Sequence, residues 1–153
     1  MARAPHVLIV EARYYEKVAD EMARGAEAAL QAGGATFERI AVPGAFEIPA
    51  AIALAGRAAG PGGTPRFDGF VALGCVIRGE TSHYDHICTE SARKLQDLAG
   101  DRGVALGYGI LTCENGDQAW DRARVDGRDK GGEAAAACLA MMALKRTFAA
   151  GRQ

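Results

Sequence analysis

The sequence predicts a three-layer α/β domain, in which a four-stranded parallel sheet is flanked by helices on both faces. Short apolar runs of the strand type alternate along the chain with longer runs in which apolar residues recur at helical spacing. Strands that alternate with helices imply right-handed β-α-β crossovers, which place the helices on both faces of a parallel sheet. Because 153 residues suit a single core, residues 1–153 are predicted to form one domain.

The first half of the chain is predicted to contain two strands and two helices. The first helix is indicated by apolar residues that recur between charges, at Val18, Met22, Ala26 and Ala29. The predicted elements are a strand over 6–10, this helix ending at 33–34, a strand over 36–42, a helix over 47–59 and a Gly- and Pro-rich loop over 60–68.

The second half continues the alternation, which gives the domain a flavodoxin-like build. Ser82 and Asp85 have the S-x-x-D spacing of a capping-box variant. The predicted elements are a strand over 69–77, a helix from near Ser82, a strand over 104–112, a short helix over 118–124 and a last helix from about Gly131. The middle helix has an apolar stripe of Tyr84, Ile87, Cys88, Ser91, Leu95 and Leu98. The last helix has a stripe of Ala134, Ala137, Cys138, Met141, Leu144 and Phe148.

Charge and hydropathy exclude several classes of function. The 18 basic and 19 acidic residues nearly balance, which argues against a protein that binds nucleic acid or a membrane surface. No apolar run is long enough to span a bilayer, and the short run at 7–10 does not make a signal peptide. The protein is therefore predicted to be cytoplasmic, with reduced thiols at Cys75, Cys88, Cys113 and Cys138.

Four loops follow the predicted strands, at the edge where open parallel sheets bind ligands. These loops carry aromatic rings, a carboxylate, a glycine-bearing turn at a helix start and one histidine. Such a set suits a planar heterocycle and an anion. The loops are 12–15, 43–47, 78–83 and 113–116.

The third loop combines the features of an anion site with a group that can transfer protons. A helix start offers unpaired N–H groups and a favourable dipole, Gly79 allows close backbone approach, and Thr81 adds a hydroxyl. Glu80 suits such a site only through its backbone N–H. His83 is suited to shuttling protons near neutral pH. A solvated turn with a surface histidine is the alternative that these residues leave open.

A metal site is the other interpretation of this loop. His83 and His86 share a helix face, and Glu80 or Cys88 lies nearby in the sequence. A third convergent ligand is missing, because Cys88 belongs to the core stripe. No metal is therefore predicted.

Other candidate residues have both a functional and a structural interpretation. The loop positions of Tyr14 and Phe46 favour stacking on a ligand over core packing. For Tyr108, which lies within a strand, core packing is favoured. Arg122 and Lys130 are interpreted as solvated surface charges, as most arginine and lysine side chains are.

Four stretches of the sequence, in this order, resemble the lumazine synthase family. They are PGAFEIP at 43–49, residues 74–85 with their VIRGETSHYD core, GILTCEN at 109–115 and DKGGEAA at 129–135. The resemblance covers residues 7–146. It implies that the protein condenses 5-amino-6-ribitylamino-uracil with 3,4-dihydroxy-2-butanone 4-phosphate, the penultimate step of riboflavin biosynthesis. It also implies that the reaction needs neither a metal nor an organic cofactor.

The resemblance implies a role for each matching residue in binding the pyrimidine. Tyr14 would stack on the ring, at a position where the family more often has Phe or Trp, and Tyr108 would close the far side of the pocket. The ring and ribityl chain would be held by Ala45, Phe46 and Glu47, of which Glu47 accepts hydroxyl hydrogen bonds. The pyrimidine edge would be read by the backbone of Cys75, Val76 and Ile77.

The same resemblance assigns the phosphate site and the proton-transfer group. The amides of Glu80 and Thr81, with the Thr81 hydroxyl, would bind phosphate beside Gly79. Arg122 would pair with this phosphate, and Lys130 would lie nearby. His83 would be the general acid and base.

The resemblance further implies a homo-oligomer with active sites between subunits, to which the neighbour contributes Tyr108, Arg122 and Lys130. Residues 124–129 differ from the stretch found in members that build icosahedral shells, which favours an isolated pentamer. Riboflavin synthase is a candidate partner.

Two other functions compete with this interpretation. A lumazine- or flavin-binding carrier would not need the phosphate-site residues. A flavodoxin-like signalling domain would need an acidic cluster that Glu11 alone does not supply.

Overall fold

A computed structural model describes residues 3–151 and contains a four-stranded parallel sheet in the order β2-β1-β3-β4. The strands are β1 (His6–Ala12), β2 (Thr36–Val42), β3 (Gly69–Ile77) and β4 (Leu106–Cys113). The helices are α1 (Glu16–Ala32), α2 (Ile48–Ala55), α3 (His83–Arg102), α4 (Gly116–Ala123) and α5 (Lys130–Ala150). Short 3₁₀ turns cover Ala45–Glu47 and Pro61–Gly63. The predicted three-layer α/β fold is confirmed.

Two apolar cores cover the two faces of the sheet. Helices α1, α4 and α5 pack on one face, where Met22 and Cys138 meet Ile9 and Val71 of the central strands. Helices α2 and α3 pack on the other face, against the alternate residues of the same strands. Because both faces are covered, residues of the central strands are buried in succession rather than alternately.

The predicted boundaries hold for some elements and fail for others. Strands β2 and β3 begin and end where the sequence predicts. Helix α2 ends at Ala55, four residues before the prediction, because Gly56 closes it and the chain enters a glycine-rich loop. The prediction of a capping box is wrong, since Ser82 makes no side-chain hydrogen bond at the start of α3.

The buried face of α5 differs from the prediction. Ala134 and Cys138 are buried as expected, but Met142 completes the buried stripe. Ala137, Met141, Leu144 and Phe148, also predicted on this stripe, are exposed. The helix is apolar on several sides, so hydrophobic spacing does not determine which side meets the sheet. That side is set by close packing, since a Cβ on Gly107 of β4 would overlap the carbonyl group of Ala134.

None of the helices within residues 3–151 is long and apolar enough to cross a membrane.

Candidate active site

A cavity of about 840 Å³ opens at the carboxyl ends of the strands, on the face covered by α2 and α3. Its volume lies within the range of small-molecule sites. The lining residues are Ala12, Tyr14, Tyr15, Pro43, Gly44, Ala45, Phe46, Glu47, Cys75, Val76, Ile77, His83, His86 and Ile87. All the residues that were predicted to hold the pyrimidine, other than Tyr108, therefore lie together with His83.

Two aromatic rings stand at the mouth of this cavity. Tyr14 is 79% exposed and Phe46 is 57% exposed, although aromatic rings of this size are usually covered. Tyr14 contacts Tyr15 edge to face, with 4.9 Å between the ring centroids. The 3₁₀ turn that carries Phe46 ends at Glu47, whose N–H donates to the Gly44 carbonyl at 3.1 Å. Both rings are thus available to stack on a planar ligand.

The end of β3 presents a free backbone edge to the cavity. Pairing of β3 with β1 stops at Leu73, whereas pairing with β4 continues to Ile77. The β1-facing side of residues 75–77 is therefore left without a strand partner. Backbone groups in this position can read the hydrogen-bonding edge of a heterocycle.

Cys75 lines the cavity but is poorly suited to act as a nucleophile. Burial, reinforced by the neighbouring Cys113, raises the pKa of the Cys75 thiol to about 12. The thiolate is the reactive form of cysteine, so the side chain stays unreactive near neutral pH.

Because of this raised pKa, Cys75 should resist alkylation in the native protein. At about pH 8 we expect iodoacetamide to modify it at least tenfold more slowly than in urea-unfolded protein. Peptide mass spectrometry over a time course measures both rates. Equal rates in the two states would contradict the protected thiol.

The turn before α3 exposes the groups that an anion would need. Gly79, Glu80 and Thr81 are exposed, and within residues 3–151 the amides of Glu80 and Thr81 donate to no acceptor. The His83 N–H donates to the Thr81 hydroxyl at 3.3 Å, where the sequence predicted a Ser82 cap. The turn thus combines free amides, a hydroxyl and the dipole of a 20-residue helix.

The Arg78 side chain, next to this turn, contacts two carboxylates and an aromatic ring. Its Nε donates to Glu114 at 2.8 Å, and its Nη1 lies 3.4 Å from the Asp85 carboxylate. The guanidinium also lies over the ring of Tyr84, at 4.3 Å from the centroid. The Arg78 guanidinium is thus already engaged by two carboxylates and one aromatic ring.

Tyr108, Arg122 and Lys130 do not line this cavity. Tyr108 lies on the edge strand β4 and is 45% exposed, which contradicts core packing. Arg122 Nη1 donates to the Gln118 carbonyl at 3.1 Å in α4, and Lys130 pairs with Glu133 at 2.9 Å at the start of α5. The three residues lie on neighbouring elements at the β4 side of the sheet.

Sequence reasoning did not place His86 among the substrate-binding residues of the cavity. It was considered only as a metal ligand, although its position one turn after His83 indicates that it shares the same face. Ala12, Tyr15, Pro43 and Gly44 also line the cavity and belong to the loops 12–15 and 43–47 that were predicted at this edge, whereas Ile87 was assigned to the apolar stripe of the middle helix. Among residues 3–151, no group of three or more His, Cys, Asp or Glu side chains is placed to hold a metal ion.

Comparison with known proteins agrees with this geometry. The family model described as 6,7-dimethyl-8-ribityllumazine synthase matches residues 4–146. The Rhizobium meliloti protein named 6,7-dimethyl-8-ribityllumazine synthase 1 is 58% identical over 145 residues, which cover 95% of this chain and 94% of the relative. The 6,7-dimethyl-8-ribityllumazine synthase of Agrobacterium fabrum is 56% identical over 142 residues, covering 93% and 95%. That of Bartonella tribocorum is 53% identical over 148 residues, covering 97% and 95%. The chain therefore belongs to the 6,7-dimethyl-8-ribityllumazine synthase family.

Proposed function

We propose that this protein is a transferase-type lumazine synthase. It condenses 5-amino-6-ribitylamino-uracil with 3,4-dihydroxy-2-butanone 4-phosphate to give 6,7-dimethyl-8-ribityllumazine, phosphate and water. The observation that carries the proposal is the cavity that Tyr14, Phe46, Glu47 and His83 line together. Family membership over nearly the whole chain supports the same reaction.

The pyrimidine substrate occupies this cavity. Tyr14 stacks on the ring, while Ala45, Phe46 and Glu47 hold the ring and the ribityl chain. The Glu47 carboxylate accepts hydrogen bonds from ribityl hydroxyls. The unpaired backbone edge of residues 75–77 supports recognition of the heterocycle edge.

The phosphate of the second substrate binds at the turn before α3. The amides of Glu80 and Thr81 donate to its oxygens, Gly79 admits it close to the backbone, and the Thr81 hydroxyl adds a further contact. The free state of these amides supports this site. Arg122 pairs with the phosphate, and Lys130 lies nearby.

The chemistry is a series of proton transfers around His83. The amine of the pyrimidine adds to the ketone, and the carbinolamine loses water to form an imine. Phosphate then leaves by elimination, and the resulting enol becomes a ketone. The ribityl-bearing nitrogen adds to this ketone, and loss of a second water closes the ring. His83 takes and returns the protons, and holding two substrates together lowers the barrier by several kcal/mol. The reaction needs no metal and no organic cofactor.

Assembly completes the site. Tyr108, Arg122 and Lys130 do not reach the cavity of their own subunit, which supports their contribution by a neighbour in a homopentamer. Each subunit is one domain over residues 1–153. The pentamer acts in the cytoplasm, with riboflavin synthase as a candidate partner.

The test is to mix the purified protein with both substrates and follow the lumazine by absorbance and fluorescence. The slow uncatalysed condensation is measured in parallel and subtracted. We expect product above that background without added metal. A correctly assembled oligomer that gives no such product would overturn the synthase, and binding of the lumazine alone would then favour a carrier.

A further inference from the structure

A buried carboxylate lies directly beside the cavity but outside it. Glu11, near the end of β1, is only 3% exposed. Its Oε1 accepts hydrogen bonds from Arg13 Nη1 at 2.7 Å and Arg39 Nη2 at 3.0 Å, and its Oε2 accepts one from Arg39 Nε at 2.8 Å. Both oxygens are therefore held by guanidinium groups.

Arg13 and Arg39 connect the Glu11 carboxylate to helix α1. Arg13 also pairs with Asp20, and Arg39 Nη1 donates to Glu27 at 2.8 Å. The pKa of Arg13 is raised, first by its hydrogen bond to Asp20 and then by that to Glu11. Each arginine thus bridges the same buried carboxylate to one acidic residue of α1.

Arg13 and Tyr14 lie on opposite sides of the chain. Strand β1 ends at Ala12, and the chain bends at Tyr14 and Tyr15. Glu11 and Arg13 point toward α1, whereas Ala12 and Tyr14 line the cavity on the face of α2 and α3. Because the two residues are adjacent in the chain, holding the Arg13 side chain restrains the backbone from which the Tyr14 side chain enters the cavity.

Tyr14 has little else to hold it. Its ring is 79% exposed and meets the ring of Tyr15 edge to face. An exposed side chain with so little packing would otherwise be free to change rotamer and backbone direction. By contrast, a guanidinium fixed at two of its nitrogens cannot move without exposing or unpairing a buried charge.

We propose that Glu11 and Arg13 are positioning residues, which act through the loop 12–15 to hold Tyr14 in the wall of the pyrimidine cavity. This inference rests on the proposed function, because it concerns the affinity of that same site for the pyrimidine. It assigns the network an effect on substrate binding rather than on proton transfer.

Arg39 provides a matched control. Arg13→Gln and Arg39→Gln each remove one guanidinium from Glu11 and one ion pair with α1. In each variant Glu11 keeps the other guanidinium. Only Arg13 lies in the loop that carries Tyr14, so a purely structural role predicts similar effects from both variants.

The experiment measures the dissociation constant of the ribitylamino-pyrimidine by calorimetry, together with KM, kcat and the melting temperature. Loss of one stacking contact corresponds to at most about tenfold in affinity. For Arg13→Gln we expect the dissociation constant and KM of the pyrimidine to rise by about this factor, with kcat within about threefold. For Arg39→Gln we expect the dissociation constant and KM of the pyrimidine to stay within about twofold of their values in the unchanged protein.

A double-mutant cycle isolates the connection to Tyr14. In a Tyr14→Ala background, Arg13→Gln should add less than about twofold to the dissociation constant, because the ring that it positions is gone. The positioning role would be overturned if Arg13→Gln and Arg39→Gln had equal dissociation constants for the pyrimidine. It would also be overturned if Arg13→Gln raised this constant as much in the Tyr14→Ala background as in the unchanged protein. Neither result would affect the proposed function. Unchanged protein that neither binds the pyrimidine nor forms product would overturn the proposed function instead.

Discussion

Replacement of Gly131 by alanine is expected to destabilise the fold by about 3 kcal/mol. Gly131 begins the contact of α5 with α1, and an added Cβ would lie well inside 3.0 Å of the Met22 backbone. A backbone cannot rotate away as a side chain can, so the two helices must separate. That separation would loosen the core of which Cys138 and Met142 form part, and it would displace the adjacent Lys130.

Gly100→Ala is the matched control for this change. Gly100 also lies within a helix, but no atom lies within 4 Å of its added Cβ. We expect it to stabilise the protein by about 0.5–1 kcal/mol, since alanine has less backbone freedom in the unfolded chain. Urea unfolding at one fixed protein concentration compares the variants, because the apparent stability of an oligomer such as the proposed pentamer depends on concentration. Equal stabilities would disprove the close packing of α1 on α5.

Replacement of His83 by asparagine is expected to lower kcat by about 100-fold, the usual contribution of a positioned acid and base. His83 lines the cavity at the first turn of α3, next to the turn proposed for phosphate. Activity should persist above the uncatalysed rate, because the cavity still brings the two substrates together. Steady-state kinetics with saturating pyrimidine measures the loss.

His86→Asn distinguishes His83 from the other imidazole in the cavity. We expect a smaller loss of kcat from this variant than from His83→Asn. The pyrimidine dissociation constant separates a loss of binding from a loss of proton transfer. A larger loss from His86→Asn would transfer the catalytic assignment to His86.

Much of the fold and part of the site could be predicted from local patterns. The run at 69–77 is apolar, the run at 36–42 is rich in β-branched and aromatic residues, and turn residues bound both. They form β2 and β3 within the predicted bounds. The four loops could be placed at one edge because the carboxyl ends of parallel strands coincide. The cavity residues Phe46, Glu47 and His83 were found in this way.

The sequence by itself determined the α/β class, the order of strands and helices, and the loops that form the cavity. Each of these depends on spacing within about ten neighbouring residues, which governs strand and helix formation directly. Only the tertiary structure decided which side of α5 is buried, because that helix is apolar on several sides and its rotation is set by contacts of Gly107 and Gly131. The same holds for the pairing of Glu11 with Arg39. These residues are 28 positions apart, and they meet because the parallel register aligns Arg39 with Ile9 on the same face of the sheet.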